Sequence, residues 1–113
     1  MPAPEGAPDQ ATRIPADQIV RDFLHAQNLE QVGKVDQAVG LYEEAVAAHF
    51  DAAGPYDRLI FIYQQRRAHR DVIRVCEASL QAVRTYEAKR TWYRAQMAEA
   101  EKALDAPPTP TAR

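Results

Sequence analysis

Proline is almost confined to the two ends of this chain. Six of its eight prolines (Pro2, Pro4, Pro8, Pro107, Pro108 and Pro110) fall in the first ten or the last seven residues, and only Pro15 and Pro55 lie inside. Proline lacks the backbone donor that a helix interior requires, so the breakers sit in the tails and the stretch between them is free to be helical. That stretch is also rich in the strongest helix former, since the 113 residues include 21 alanines against four glycines. An all-α fold is therefore expected. A composition of 46% apolar and 27% charged residues with a net charge of -2 suits one small domain. The longest apolar run, residues 59–63, is far short of the roughly 18 residues of a membrane span, so no membrane partner is expected. The first residues have neither a basic nor an apolar segment, so no secretory leader is expected. The lone Cys76 cannot close an intrachain disulfide, and the cytoplasm is the expected compartment. Eleven arginines against three lysines, with the alanine excess, would suit a GC-rich bacterial genome.

Residues 1–14 and 106–113 read as disordered, because neither has enough apolar side chains to offset the entropy of ordering. Between them the apolar spacing predicts five helices. The first starts near Pro15 or Asp17 and carries Ile19, Val20, Phe23, Leu24, Ala26, Leu29 and Val32, with Gly33 as its stop. The second runs over about residues 36–48 through Ala38, Tyr42, Ala45 and Val46. A third, capped by Asp51 with Pro55 in its first turn, extends to about Arg66 through Tyr56, Leu59, Ile60 and Tyr63. The fourth spans about residues 70–83 with Val72, Cys76 and Leu80 on its seam. Continuing that seam would bury Glu87, Arg90 and Arg94, so a turn is expected at about residues 84–86, with Thr85 as a candidate cap; one long bent helix is the alternative. A fifth helix follows over about residues 87–104, with Tyr93, Met97, Ala100 and Leu104 as its stripe.

Shifting the chain by 34 residues against itself aligns Ala26 with Ile60, Leu29 with Tyr63, Val39 with Ile73, Glu43 with Glu77, Val46 with Leu80 and Ala48 with Ala82. A helix-turn-helix period of 34 residues, with Ala26, Leu29, Gly33, Ala38, Tyr42 and Ala45 in the first unit and Tyr56, Leu59, Tyr63, Ser79 and Leu80 in the second, resembles the tetratricopeptide repeat family. The resemblance implies antiparallel helix-turn-helix repeats in a right-handed α-solenoid. Repeats would cover about residues 19–52 and 53–86, and the fifth helix would serve as the solvating cap. Arg67 stands where the second unit's turn glycine is expected, and Val72 where it has a small alanine.

The resemblance further implies a concave groove lined by the first helix of each unit and by the cap helix, which holds a segment of a partner protein. Its candidates are Val20, Phe23, Leu24 and Gln27, then Asp57, Arg58 and Phe61, then Ala88, Thr91, Trp92 and Ala95. Phe23, Phe61 and Trp92 would form an apolar floor. Arg58 would be the one positive charge among those aromatics, partly offset by its neighbour Asp57. An arginine can stack on a ring and hold a carboxylate at once, so an acidic protein or peptide is the expected partner. Charge is unevenly spread. Residues 1–57 hold three basic and ten acidic groups, a balance of -7, and residues 58–94 hold nine basic and three acidic groups, a balance of +6. Arg66, Arg67, Arg70 and Arg74 gather at the second inter-helix turn as a candidate anion patch. The overall acidity argues against nucleic acid as the partner. His25, His49 and His69 share no ligand spacing with each other or with Cys76, so no metal and no cofactor are expected. His25 reads as a core histidine and His69 as a turn residue. Cys76 reads as a buried thiol. The glycines are isolated and adjacent carboxylates diverge on a helix, so the expectation is a noncatalytic protein-binding adaptor. A homodimerising helical module is the alternative.

Overall fold

A computed structural model describes residues 15–106; the Pro-rich arm expected over residues 1–14 and all but the first residue of the expected tail lie outside the described residues. Five helices follow in chain order, α1 (Ala16–Gln31), α2 (Val35–Ala47), α3 (Gly54–Gln65), α4 (His69–Ala82) and α5 (Glu87–Asp105). No strand occurs among the described residues, so the fold is all-α. The chain divides into two compact units, one ending at Phe50 and the other beginning at Asp51. In the first, α1 packs on α2; in the second, α4 packs on both α3 and α5.

Three helices end in the same way. At the end of α1 the Gly33 N–H donates to the Glu30 carbonyl (3.0 Å) and the Lys34 N–H to the Leu29 carbonyl (2.8 Å). Thirty-four residues on, Arg67 donates to Gln64 (3.1 Å) and Ala68 to Tyr63 (2.8 Å). The end of α2 repeats it, with His49 bonded to Val46 and Phe50 to Ala45. This paired closure satisfies the last carbonyls of a helix and places one residue in the left-handed region, where glycine is at ease. Gly33 sits there at φ 85°, but His49 (58°) and Arg67 (55°) do so with a side chain. The α4–α5 link differs. Val83 is extended and buried, Arg84 donates its N–H to the Asp51 carbonyl at 3.0 Å, and the Arg90 guanidinium on α5 closes the Leu80 carbonyl at 2.9 Å. Two separate helices result.

None of the side chains expected as caps makes a capping bond. Helices α1, α3 and α5 begin after Pro15, Ala53 and Tyr86, without a side-chain cap. Pro55 in the first turn of α3 has no N–H to be capped, and Asp51 is used through its backbone carbonyl. Asp17 lies inside α1 and pairs with Arg21 (3.4 Å).

The apolar stripes bury only in part. Ile19 and Ala26 on α1 are buried while Val20, Leu24 and Val32 are exposed. Leu24 lies roughly opposite Ala26 around the helix. His25, expected in the core, is exposed because the buried side of α1 is narrow. In the second unit Tyr56, Leu59, Ile60, Val72, Val75, Cys76 and Tyr93 are buried. On α5, Ala100 is buried and Met97 half-buried, but Leu104 is exposed. Ser79, with no exposed surface, donates its hydroxyl to the Cys76 carbonyl at 2.6 Å, so its burial leaves no polar atom unsatisfied.

Two predictions follow from these local geometries. A side chain in the left-handed region costs about 1–2 kcal/mol relative to glycine, part of which glycine returns through its greater freedom when unfolded. Arg67→Gly should therefore stabilise the chain by about 1 kcal/mol, read as a rise of a few degrees in Tm; a fall would show that the arginine side chain, not the turn, sustains the α3–α4 link.

The second concerns alkaline pH. Burial, helped by the carboxylates of Asp57 and Glu77, pushes the Cys76 thiol up to about 12, and burial with Asp51 pushes the Tyr56 phenol up to about 12. Unfolded, these groups release protons near 8.5 and 10. Above those values the unfolded chain has lost protons that the folded chain still holds, so stability falls as pH rises, by about 1.4 kcal/mol per pH unit for each group. The urea midpoint should decline from about pH 8.5 upward, and Cys76→Ala should flatten the profile below about pH 10. A flat profile in the native chain would place the thiol in solvent.

Candidate functional site

Helical spacing puts Asp57, Phe61 and Gln64 on one side of α3, at i, i+4 and i+7, and puts Lys89, Trp92, Tyr93 and Gln96 on one side of α5. Hydrogen bonds join the two sides at both ends. The Lys89 ammonium donates to Asp57 Oδ2 at 2.8 Å and the Tyr93 hydroxyl to Asp57 Oδ1 at 2.9 Å. Farther along, Gln64 Nε2 donates to Gln96 Oε1 at 2.8 Å. Phe61 and Trp92 stand between these two rungs, 46% and 38% exposed.

Cations sit on both rings. The Arg58 guanidinium carbon lies 4.9 Å from the centre of Phe61, and Lys89 Nζ lies 4.2 Å from Trp92 and 5.1 Å from Tyr93. Trp92 meets Tyr93 edge-on at 5.4 Å. A cation over an aromatic face gains electrostatically from the ring's negative centre, more so when partly desolvated. Burial raises the Tyr93 phenol well above its ordinary value, and the Asp57 charge, to which it donates, raises it further. The hydroxyl is therefore a donor fixed on Asp57.

Of the residues expected in the groove, Asp57, Arg58, Phe61 and Trp92 come together on this α3–α5 face. Arg58 is half-buried, and it is not the one cation there. Lys89 takes up the Asp57 charge, reaching across from α5 at 2.8 Å. Lys89 stands between the named positions Ala88 and Thr91, and a Lys three residues before a Trp was the available signal. Ala88, Thr91 and Ala95 are exposed. Phe23 and Gln27 lie on α1 in the first unit, both half-buried. The Phe23 ring is 5.8 Å from that of Tyr42, whose hydroxyl donates to Glu30 at 2.6 Å.

Arg66, Arg67, Arg70 and Arg74 are all exposed around the α3–α4 turn. Arg74 is held by Asp71 at 3.0 Å and lies 6.0 Å from the Tyr63 ring. His69, expected in the turn, instead opens α4 and is half-buried. Together with Gln64, Val72, Gln96, Glu99, Ala100 and Ala103 it lines a cavity of about 230 Å³. Among the described residues no group of three His, Cys, Asp or Glu side chains is placed to hold a metal ion, and no helix is long and apolar enough to cross a membrane. Compared with known proteins, this chain matches no family model, no curated sequence and no solved structure.

The Asp57 cluster generates a stability prediction. Its two side chains are 32% (Asp57) and 23% (Lys89) exposed, so the pair is worth more than a fully solvated one. Tyr93→Phe removes a donor to a charged acceptor and should cost about 1.5–3 kcal/mol in urea unfolding. Lys89→Met should cost about 1 kcal/mol, and a double-mutant cycle with Asp57→Asn should show coupling of about 0.5 kcal/mol or more. Additivity would show that Lys89 is held by the rings alone.

Proposed function

We propose that this chain is a noncatalytic protein-binding module, of the kind its likeness to tetratricopeptide repeats implies, which holds a segment of a partner protein on the α3–α5 face. The observation that carries the reading is the pair of half-exposed aromatics, Phe61 and Trp92, each under a cation and framed by three hydrogen bonds between helices. Burying large rings in water's place is the main source of affinity at protein interfaces. Aromatic and arginine side chains supply most of it. On this face the rings are already fixed, so little side-chain entropy is lost when a partner covers them. With Lys89 balanced by Asp57, Arg58 leaves one net positive charge beside the rings, which suits an acidic group on the partner.

The one thiol of the chain is buried and held protonated, so Cys76 is not a candidate nucleophile. A chain with a single reduced cysteine suits the cytoplasm.

Immobilised chain and its Phe61→Ser and Arg58→Glu variants would be compared for the proteins they retain, with helicity checked by circular dichroism. Arg58→Glu is expected to keep the helical signal and weaken the partner by about 2–5 kcal/mol where the contact is buried in the complex. Retention unaffected by both substitutions would remove the face from binding. A mass that doubles with concentration and returns to one chain in Phe61→Ser would instead mark the face as filled by a second copy.

A further inference from the structure

The cavity of about 230 Å³ draws its walls from α3, α4 and α5, and neither Phe61 nor Trp92 lines it. Its floor is apolar, since Val72 and Ala100 are both buried. The polar groups around that floor are not used up by one another. The bond between Gln64 and Gln96 takes one N–H and one carbonyl, so the Gln64 carbonyl remains an acceptor. His69, half-buried, and Glu99, exposed, are in the lining, and among the described residues neither side chain is tied to another by a hydrogen bond or ion pair.

Charge and size then select the occupant. Glu99 is the one carboxylate in the lining, and no Lys or Arg lines the cavity, the arginines of the α3–α4 turn included. An anion would be repelled there, and a neutral guest would leave the carboxylate to water alone. A primary ammonium has three N–H donors and no acceptor, which matches a lining that offers the Glu99 oxygens, the Gln64 carbonyl and an imidazole nitrogen. Sites for drug-sized molecules run at roughly 300–1,000 Å³, so the guest is smaller than these. A water takes roughly 30 Å³ in the liquid, so the space suits an ammonium with an aliphatic chain of about five carbons.

We propose that the cavity is a binding site for a small primary alkylammonium ion, with its charge on Glu99 and its aliphatic chain over Val72 and Ala100. The site is independent of the binding role proposed above, because the aromatic pair takes no part in it.

Pentylammonium chloride titrated into the full chain, followed by proton–nitrogen NMR, tests it. The side-chain amides of Gln64 and Gln96 and the backbone N–H of Ala100 should shift and saturate, while the backbone N–H of Glu44, an exposed carboxylate on α2, should not. Pentan-1-ol, without the charge, and pentanoate, with the opposite charge, should each bind about tenfold more weakly or worse. Glu99→Gln should bring the amine down to the affinity of the alcohol. Ala103→Leu, which fills space at the cavity wall, should weaken the amine about tenfold. Both positions are exposed, and circular dichroism checks that each variant stays helical. Shifts that grow without saturating, equal binding of the three probes, or a Glu99→Gln chain that still prefers the amine overturns the site. Amine binding unaltered in Ala103→Leu also overturns it, since the ion would then sit on a surface carboxylate and not in the cavity.

Discussion

The second unit depends on a half-buried carboxylate between three helices. Asp57 on α3 accepts from Lys89 and Tyr93 on α5, and its charge is felt by Cys76 on α4. A carboxylate removed from water without partners would be expensive. Here both oxygens are satisfied, and each bond fixes a side chain with a further task. Lys89, held by Asp57, is thereby kept over Trp92, and Tyr93, held by the same group, meets the indole in a T-shaped contact. The geometry of the exposed aromatic face is thus set by a polar contact beneath it. Apolar burial alone would not orient these rings.

Much of the fold was legible in residue order because helices are local. The withdrawal of proline to the ends, the spacing of Ala38, Tyr42, Ala45 and Val46, and the charge that a continued α4 seam would have buried at Glu87, Arg90 and Arg94 each concern neighbours within a few turns. The break between α4 and α5, at residues 83–86, covers the expected turn at about residues 84–86 and begins one residue earlier, at the extended Val83. The 34-residue offset also has a backbone counterpart, since the turns at Gly33 and Arg67 close with matching bonds. The match is confined to that pair of turns, since the left-handed His49 at the end of α2 has an extended residue, Val83, 34 positions on.

What stayed hidden depends on contacts between distant residues or on competition for the same group. Asp51 resembled a cap, but its backbone carbonyl is taken by Arg84 and the proline after it removes a donor. His25 followed the apolar spacing of α1, yet only a narrow strip of that helix, Ile19 and Ala26, is buried. Lys89 was passed over because a lysine on a surface helix has no distinctive local signal; its significance comes from Asp57, 32 positions earlier. The Gln64–Gln96 bond has the same separation and was invisible for the same reason.

Those two bonds, equal in sequence offset, also explain why the aromatics can remain exposed. Phe61 and Trp92 would be awkward on a freely moving surface, since large apolar rings in water favour nonspecific association. A cation lies over each ring, Arg58 over Phe61 and Lys89 over Trp92, and offsets part of that exposure electrostatically. Tying α3 to α5 at both ends fixes the spacing of the two helices that carry the rings. Stability on this face therefore comes from the polar rungs: they hold α3 against α5, and the rings between them stay partly exposed.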